Sequence, residues 1–320
     1  MNKLRIFSII LLLLWLVTIA NAGNYSFDFL SSGIGTRAKA LGGSFTSIAN
    51  DGSALFWNPS GTALLPSGQF YFSHNANFSG MLSIDFLSFT KPLIGNSAIS
   101  IAMLKEGVGN IPIFPELEGT PEQRDTTPSI QGNGNPLGYF SESANIYYVN
   151  LSKQLSIGKT KFLLGGNFKY FNESLWGYSG TGIGVDFGGI LVLPEISVPG
   201  TISLGMNIQN LSGTEILWNT HTRTRDEIPP NYILGFNYFA PLEGINSGIM
   251  LSFDFNFKYE SLRHFGVEYS YKRNFLLDFG WNEGNLSFGT GINFWKIVLQ
   301  YAFISHTLGS SHSMSAGFTL

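Results

Sequence analysis

From Gln69 to the C-terminus the chain repeats one motif, about ten residues in which apolar side chains alternate with small or polar ones, punctuated by Gly, Pro, Asn or Ser. An extended strand sends alternate side chains to opposite faces, so each such segment has one oily and one polar side. In the last segment His312, Met314, Ala316, Phe318 and Leu320 share one face, and Ser313, Ser315, Gly317 and Thr319 share the other. Residues 285–294 oppose Leu286, Phe288, Ile292 and Phe294 to Asn285, Ser287, Gly289, Gly291 and Asn293. Residues 201–210 oppose Ile202, Leu204, Met206 and Ile208 to Ser203, Gly205, Asn207 and Gln209. The pattern predicts fourteen strands, at 70–78, 81–90, 97–106, 141–152, 160–172, 179–192, 201–210, 231–240, 248–258, 262–271, 274–281, 285–294, 296–305 and 311–320.

A soluble sandwich would place Lys and Glu on the polar faces of its strands, where they meet water. Here those faces are mostly Gly, Ser, Asn and Thr, and charged residues make up only 12% of the chain, against ~25% in an ordinary soluble domain. Small neutral residues suit a crowded, wet interior, and large aliphatic and aromatic ones suit lipid. The pattern therefore predicts an all-β protein, a transmembrane antiparallel β-barrel of about fourteen strands, whose backbone is satisfied because the sheet closes on itself. An even strand number agrees with single-chain bacterial barrels.

The first residues carry a different signal. MNKLRIFSIILLLLWLVTIANA places Lys3 and Arg5 before an apolar run from Ile6 to Ile19 and ends in Ala20-Asn21-Ala22. This predicts a secretory signal peptide over 1–22, cleaved after Ala22, and a chain that has left the cytoplasm. No later segment reaches the ~20 apolar residues of a membrane helix. The expected destination is the outer membrane of a Gram-negative type bacterium. The formal net charge is −3, and it becomes −5 without Lys3 and Arg5. Neither value offers the basic surface that nucleic acid requires, so no nucleic-acid partner is expected. Cysteine is absent, which excludes disulfides, metal thiolates and thiol nucleophiles.

With the N-terminus on the periplasmic side, every second connection of a barrel faces outward and holds the long loops. The two longest gaps, 107–140 and 211–230, follow the third and seventh predicted strands and so fall on the outward side. The first is rich in Pro and Gly and reads either as a functional lid or as a disordered surface loop. Trp176, Tyr178, Tyr259, Tyr271, Trp281 and Trp295 gather near predicted strand ends, the headgroup level that such rings prefer.

Residues 37–61, RAKALGGSFTSIANDGSALFWNPSG, break the alternation. Gly42-Gly43 and Asp51-Gly52-Ser53 are turn signals. Ala54 to Trp57 could form one helical turn, which Asn58-Pro59 would end because proline disfavours a helical residue before it. A fourteen-stranded lumen is wider than side chains alone can fill. Residues 23–66 are accordingly expected to fold inward as a plug, or hatch, ahead of a barrel over 67–320. The alternative is a periplasmic tail that caps the barrel end.

The same residues resemble the N-terminal signature of the PorV/PorQ family, itself similar to the FadL type of outer-membrane barrel. The resemblance rests on Arg37-Ala38, Leu41-Gly42-Gly43, Phe45-Thr46, Asn50-Asp51, Ser53-Ala54 and Phe56-Trp57-Asn58-Pro59. It extends more loosely to GTGIGVDFGG around Asp186 and to ISLGMNIQNLSG at 202–213. In FadL-like proteins the related element is Asn-Pro-Ala, matched here by Asn58 and Pro59 with Ser60 in the third place. The resemblance implies a barrel with a lumenal hatch and two alternative functions. One is transport of hydrophobic or amphipathic small molecules across the outer membrane. The other is a non-transporting accessory or cargo-shuttle role in a type IX secretion or other cell-envelope complex, docking through the two long loops.

Candidate site residues follow from these readings. In the hatch they are Arg37, Lys39, Leu41, Gly42, Gly43, Asp51, Trp57, Asn58 and Pro59. On the lumen-facing parity the ionisable residues are Lys169, Asp186, Asp254, Lys258, Glu268 and Asp278. These are expected to pair with one another or with Arg37, Lys39 and Asp51, because an unpaired buried charge is costly. His74, His221, His264, His306 and His312 occur singly, without metal-ligand spacing or a hydrolase context. No enzymatic activity, metal or cofactor is expected. The expected partners are outer-membrane lipid, a hydrophobic ligand, and secretion-complex or cargo proteins.

Overall fold

The computed structural model describes residues 26–114, 119–120, 123, 135–194, 199–258, 262–272 and 274–320. The signal-peptide expectation, most of the 107–140 loop and Tyr259 lie outside the described residues. The strands are β1 (Gln69–Asn77), β2 (Leu82–Leu93), β3 (Ser97–Ile113), β4 (Gly138–Ile157), β5 (Thr160–Leu175), β6 (Tyr178–Pro194), β7 (Thr201–Gln209), β8 (Thr214–Trp218), β9 (Arg225–Ile228), β10 (Asn231–Leu242), β11 (Ser247–Asn256), β12 (Leu262–Tyr271), β13 (Phe275–Asn282), β14 (Asn285–Phe294), β15 (Ile297–Ile304) and β16 (Ser311–Thr319). Fourteen of them, all but β8 and β9, form a closed antiparallel ring in which each pairs with its neighbours in sequence and β7 pairs with β10. Closure comes from β1 against β16, with Phe70 opposite Phe318 and Ser73 opposite Ser315. Each predicted strand corresponds to one member of this ring.

Burial follows the period-2 pattern inside out. Leu87, Ile101, Val149, Phe168, Leu204, Phe253, Phe288 and Met314 are exposed on the outer wall, whereas Ser73, Asn75, Thr90, Asn150, Asn167, Ser252 and Ser313 are buried on the inner one. Apolar surface facing lipid and polar surface facing the lumen is the arrangement a bilayer imposes on a closed sheet. The wall is tallest along β3 to β6. At ~3.3 Å per residue the twenty residues of β4 run about 66 Å, well beyond the ~30 Å of a hydrocarbon core. The excess projects at the long-loop end, so β3 and β4 take up part of the expected 107–140 loop.

The 211–230 connection also differs from a plain loop. Thr214, Ile216 and Trp218 turn inward and are buried, while Glu215 and Leu217 point away. This β8–β9 hairpin pairs with β6 through Gly180–Trp218 and Gly182–Ile216, on the stretch that β7 leaves unpaired because it engages only Phe187 to Pro194. A five-residue alternation between turns is too short to stand out against the ten-residue period of the wall.

Candidate functional site

Residues 26–68 run through the ring from one end to the other. At the long-loop end the Ser26 hydroxyl donates to Glu173 (2.9 Å) and its N–H to the Glu227 carbonyl (3.3 Å). At the short-turn end the Leu320 N–H donates to the Gly68 carbonyl (2.8 Å). Between them lie two short helices, α1 (Thr36–Ala40) and α2 (Ala54–Trp57), and a 3-10 turn over Pro59–Leu64. Local chemistry sets these bounds. Asp51 Oδ1 accepts from the Ser53 N–H (2.8 Å) and hydroxyl (2.6 Å), a turn that leads into α2. Asn58 is extended and ends α2, and its Oδ1 caps the following turn by accepting from the Ser60 N–H (3.2 Å) and hydroxyl (2.7 Å). Gly42 and Gly43, at φ 65° and 82°, supply the left-handed bend after α1.

The segment meets the wall through hydrogen bonds around nearly the whole ring. Thr36 faces Ser313 (2.8 Å), Ser287 donates to the Ala40 carbonyl (2.9 Å), and His264 Nδ1 lies 2.7 Å from the Gly42 carbonyl. Asp254 Oδ2 accepts from the N–H groups of Phe45 (3.0 Å) and Thr46 (2.8 Å). Asn207 donates to the Trp57 carbonyl (2.9 Å), Asn167 to the Leu55 carbonyl (2.7 Å), and Thr62 to Asn150 (2.8 Å). Asn58 Nδ2 reaches the carbonyls of Thr46 (2.8 Å), Gly189 (3.2 Å) and Met206 (3.3 Å). One fully buried amide thus joins two parts of the segment to β6 and β7.

The wall also approaches the segment's backbone closely. A β-carbon at Gly205 would stand 2.6 Å from the Thr46 carbonyl oxygen, one at Gly165 2.5 Å from the Pro59 carbonyl oxygen, and one at Gly266 2.9 Å from the Leu41 carbonyl oxygen. Gly188 faces Asn58 and Pro59, and Gly280 faces Leu41 and Gly42, equally tightly. Inner-wall glycines on β5, β6, β7, β12 and β13 therefore form a belt whose depth admits residues 41–60. The inner face owes its small residues to this protein contact as much as to water.

The ionisable residues sort into distinct groups. Arg37 forks onto Glu268, with Nη2 to Oε1 at 3.1 Å, and its Nη1 donates to Asn50 (2.7 Å); Asp278 lies opposite Glu268 in the β12–β13 register. Lys169 pairs with Asp186 (2.6 Å) inside the wall. Lys258 lies just past the end of β11 and pairs with Asp28 (3.2 Å). Lys39 instead donates to Asn77 Oδ1 (2.7 Å), and Asp51 turns back onto its own segment. Leu41 is fully buried, and the Trp57 ring nitrogen donates to the Ile34 carbonyl (2.8 Å). Sequence reasoning missed the buried amides and the glycine belt, although Gly on the inner parity of strand after strand is a signal for both.

Burial pushes the Lys39 ammonium down to about 7, whereas on a released segment it would titrate near ~10.4. Between those values the released form holds more protons, so docking strengthens as pH rises from 7 towards about 10. Lys39→Met removes this dependence. Across this window hydrogen exchange over residues 36–50 is expected to slow in the unaltered protein relative to the variant, which parallel exchange series in detergent would read.

Two cavities open at the long-loop end. One, of about 510 Å³, is lined by Phe27, Phe29, Leu82, Leu175 and Trp218 together with Glu106, Glu142, Glu173 and Asp226. The other, of about 260 Å³, lies above α1 and α2 on the β7–β16 side, and its lining includes Lys39, Trp57, Asn77, Asn231, Asn285 and His264. Among the described residues no cluster of three or more His, Cys, Asp or Glu has metal-holding geometry.

The profile of an uncharacterised protein family, UPF0164, matches residues 19–97, which cover the lumenal segment, β1 and β2. No curated protein sequence matches the chain. Among solved structures it is similar to the Pseudomonas putida toluene transporter TodX, at 11% identity and TM-score 0.57, over 93% of this chain and 99% of that one. It is similar to the Ralstonia pickettii toluene transporter TbuX at 11% identity and TM-score 0.53, over 91% and 100%. A Pseudomonas aeruginosa FadL homologue aligns at 9% identity and TM-score 0.53, over 89% and 98%. At such identities the likeness shows the fold, that of FadL-type outer-membrane barrels.

Proposed function

We propose that this protein is an outer-membrane channel of the FadL-like, PorV/PorQ type, closed at rest by its N-terminal segment, that passes small hydrophobic or amphipathic molecules inward. The long-loop end faces the outside. A ligand settles in the recess beside Phe27 and Trp218, and the segment from Thr36 to Leu64 acts as the hatch. The observation that carries this reading is that, apart from one apolar cluster in which Leu41, Phe45 and Leu55 lie with Phe86, Leu104 and Ile146, hatch and wall join through hydrogen bonds made by side chains. Such bonds have a net worth of only ~1 kcal/mol each, and water can replace them one by one. The hatch can therefore shift while the sheet, whose backbone ladder has no substitute in lipid, stays closed. Two toluene transporters with this fold support the reading by analogy.

The chain contains no cysteine, so an engineered pair forms the sole disulfide. Thr36→Cys with Ser313→Cys would join α1 to β16 where the two hydroxyls already lie 2.8 Å apart. In proteoliposomes the oxidised variant is expected to lose nearly all uptake of a fluorescent amphiphile and to recover it on reduction. Equal uptake in both states would show that the hatch does not gate.

A second reading, an accessory or cargo-shuttle protein of a type IX secretion or other envelope complex, is favoured by the β8–β9 hairpin. It presents His221, Thr222 and Arg223 to the exterior on an ordered support. Co-purification with a large assembly in gentle detergent supports that reading, and a solitary barrel counts against it.

A further inference from the structure

The smaller cavity has a chemistry that the transport reading does not use. Its wall is built from strand ends: Asn77 ends β1, Asn231 begins β10, Asn256 ends β11, Asn282 ends β13 and Asn285 begins β14. Asparagine is common at such ends because it tolerates turns. Here, however, the amides point into the lumen, and two are more than nine-tenths buried with an atom unsatisfied. Asn77 Nδ2 and Asn231 Oδ1 have no hydrogen-bond partner among the described residues. Both residues line the cavity, one with a spare donor and the other with a spare acceptor just beneath its surface.

The cavity also holds a cation without a carboxylate. Lys39 is 7% exposed and donates to Asn77 Oδ1, and among the described residues no Asp or Glu lines the cavity. The second lysine at its rim, Lys258, pairs with Asp28. Phe56 and Trp57 add apolar surface to the lining. At about 260 Å³ the space lies below the ~300–1,000 Å³ of sites for drug-sized ligands, so its occupant is small.

A hydrocarbon would leave Lys39 without a counter-charge and the two spare amide atoms without a partner, and a site built to hydrogen-bond discriminates strongly against analogues lacking the polar groups. Hydroxyl groups both donate and accept and so suit a ring of amides, while an aromatic face suits the C–H surface of a small ring. An anion completes Lys39. We propose that this cavity binds a small hydroxylated anion of sugar-acid chemistry, with Lys39 as its counter-charge, Asn77 and Asn231 as hydrogen-bond partners and Trp57 beneath it. The site has its own lining, distinct from that of the Phe27–Trp218 recess proposed for transport.

Calorimetric titration of the full chain in detergent, with glucuronate, glucose, decanoate and toluene as probes, tests the assignment. Saturable glucuronate binding is expected, at least tenfold tighter than glucose and undisturbed by decanoate or toluene. Lys39→Met should weaken glucuronate at least tenfold without lowering the melting temperature, and Lys39→Arg should retain most of the affinity. Asn231→Asp, which sets a negative charge against the cavity, should weaken glucuronate far more than glucose. Lack of saturable glucuronate binding, displacement of glucuronate by decanoate, or an unchanged affinity in both Lys39→Met and Asn231→Asp would overturn the proposal. The disulfide-locked variant keeps this cavity, so loss of gated uptake and loss of anion binding are read independently.

Discussion

Arg37→Met is expected to release the hatch and leave the barrel standing. The guanidinium is about 10% exposed and forks onto a Glu268 carboxylate of similar burial, with Asp278 directly across the sheet. Removing one member of a buried pair strands the other, at a cost of ~3–5 kcal/mol, and here two neighbouring carboxylates would face a lumen stripped of their cation. That penalty falls on the docked state alone, because with the hatch withdrawn both carboxylates regain water. None of the three side chains faces lipid, and the β12–β13 ladder is backbone. In planar bilayers the variant should therefore show a conductance that the parent lacks. Hydrogen exchange should accelerate over residues 36–50, while the folded barrel keeps its mobility on unheated gels. Adding Glu268→Gln should return much of the closed population, because it lifts the like-charge contact with Asp278. A variant that stays closed and exchanges at the parental rate would show that the pair is not what holds the hatch.

The barrel was legible in the sequence because the physics behind it is periodic. Every wall strand turns large apolar side chains to lipid, most inward positions are small or polar apart from the cluster of Phe86, Leu104, Ile146 and Phe171, and fourteen repetitions leave a readable record. The β8–β9 hairpin escaped because it obeys the same alternation over only Thr214 to Trp218. The lumen was less legible, since a contact such as Asn58 with Gly189 and Met206 joins residues 131 and 148 positions apart, and no local spacing records it. Parity identified Asp254, Glu268 and Asp278 as inward, but not that Asp254 would accept from two backbone N–H groups or that Lys39 would meet an amide. Charge on an inner face states only that a partner is needed; the three-dimensional path of the segment decides which.

Gly205→Val provides the sharpest test of whether wall and hatch are separable. In an ordinary strand this exchange is favourable, because valine suits a pleated surface better than glycine, and Gly205 has no positive φ that would forbid a side chain. Its β-carbon, however, would stand 2.6 Å from the Thr46 carbonyl oxygen and 2.7 Å from Ser47 Cα, well inside the ~3.5 Å of an optimal contact. Overpacking of this kind costs ~1–3 kcal/mol even where side chains can yield, and here the obstruction is backbone, which also carries the N–H groups held by Asp254. Gly280→Val pushes on Leu41 and Gly42 from β13 and should add to it, because distant sites without shared partners combine nearly additively. The double variant is expected to hold its hatch undocked and to conduct continuously while melting no earlier than the parent barrel. Gly189→Val is the control: its β-carbon meets nothing closer than Leu163 O at 3.5 Å, so the hatch should stay shut. If all three substitutions leave the pore closed, or if Gly205→Val unravels the sheet itself, hatch and wall are one structure rather than a gate within a frame.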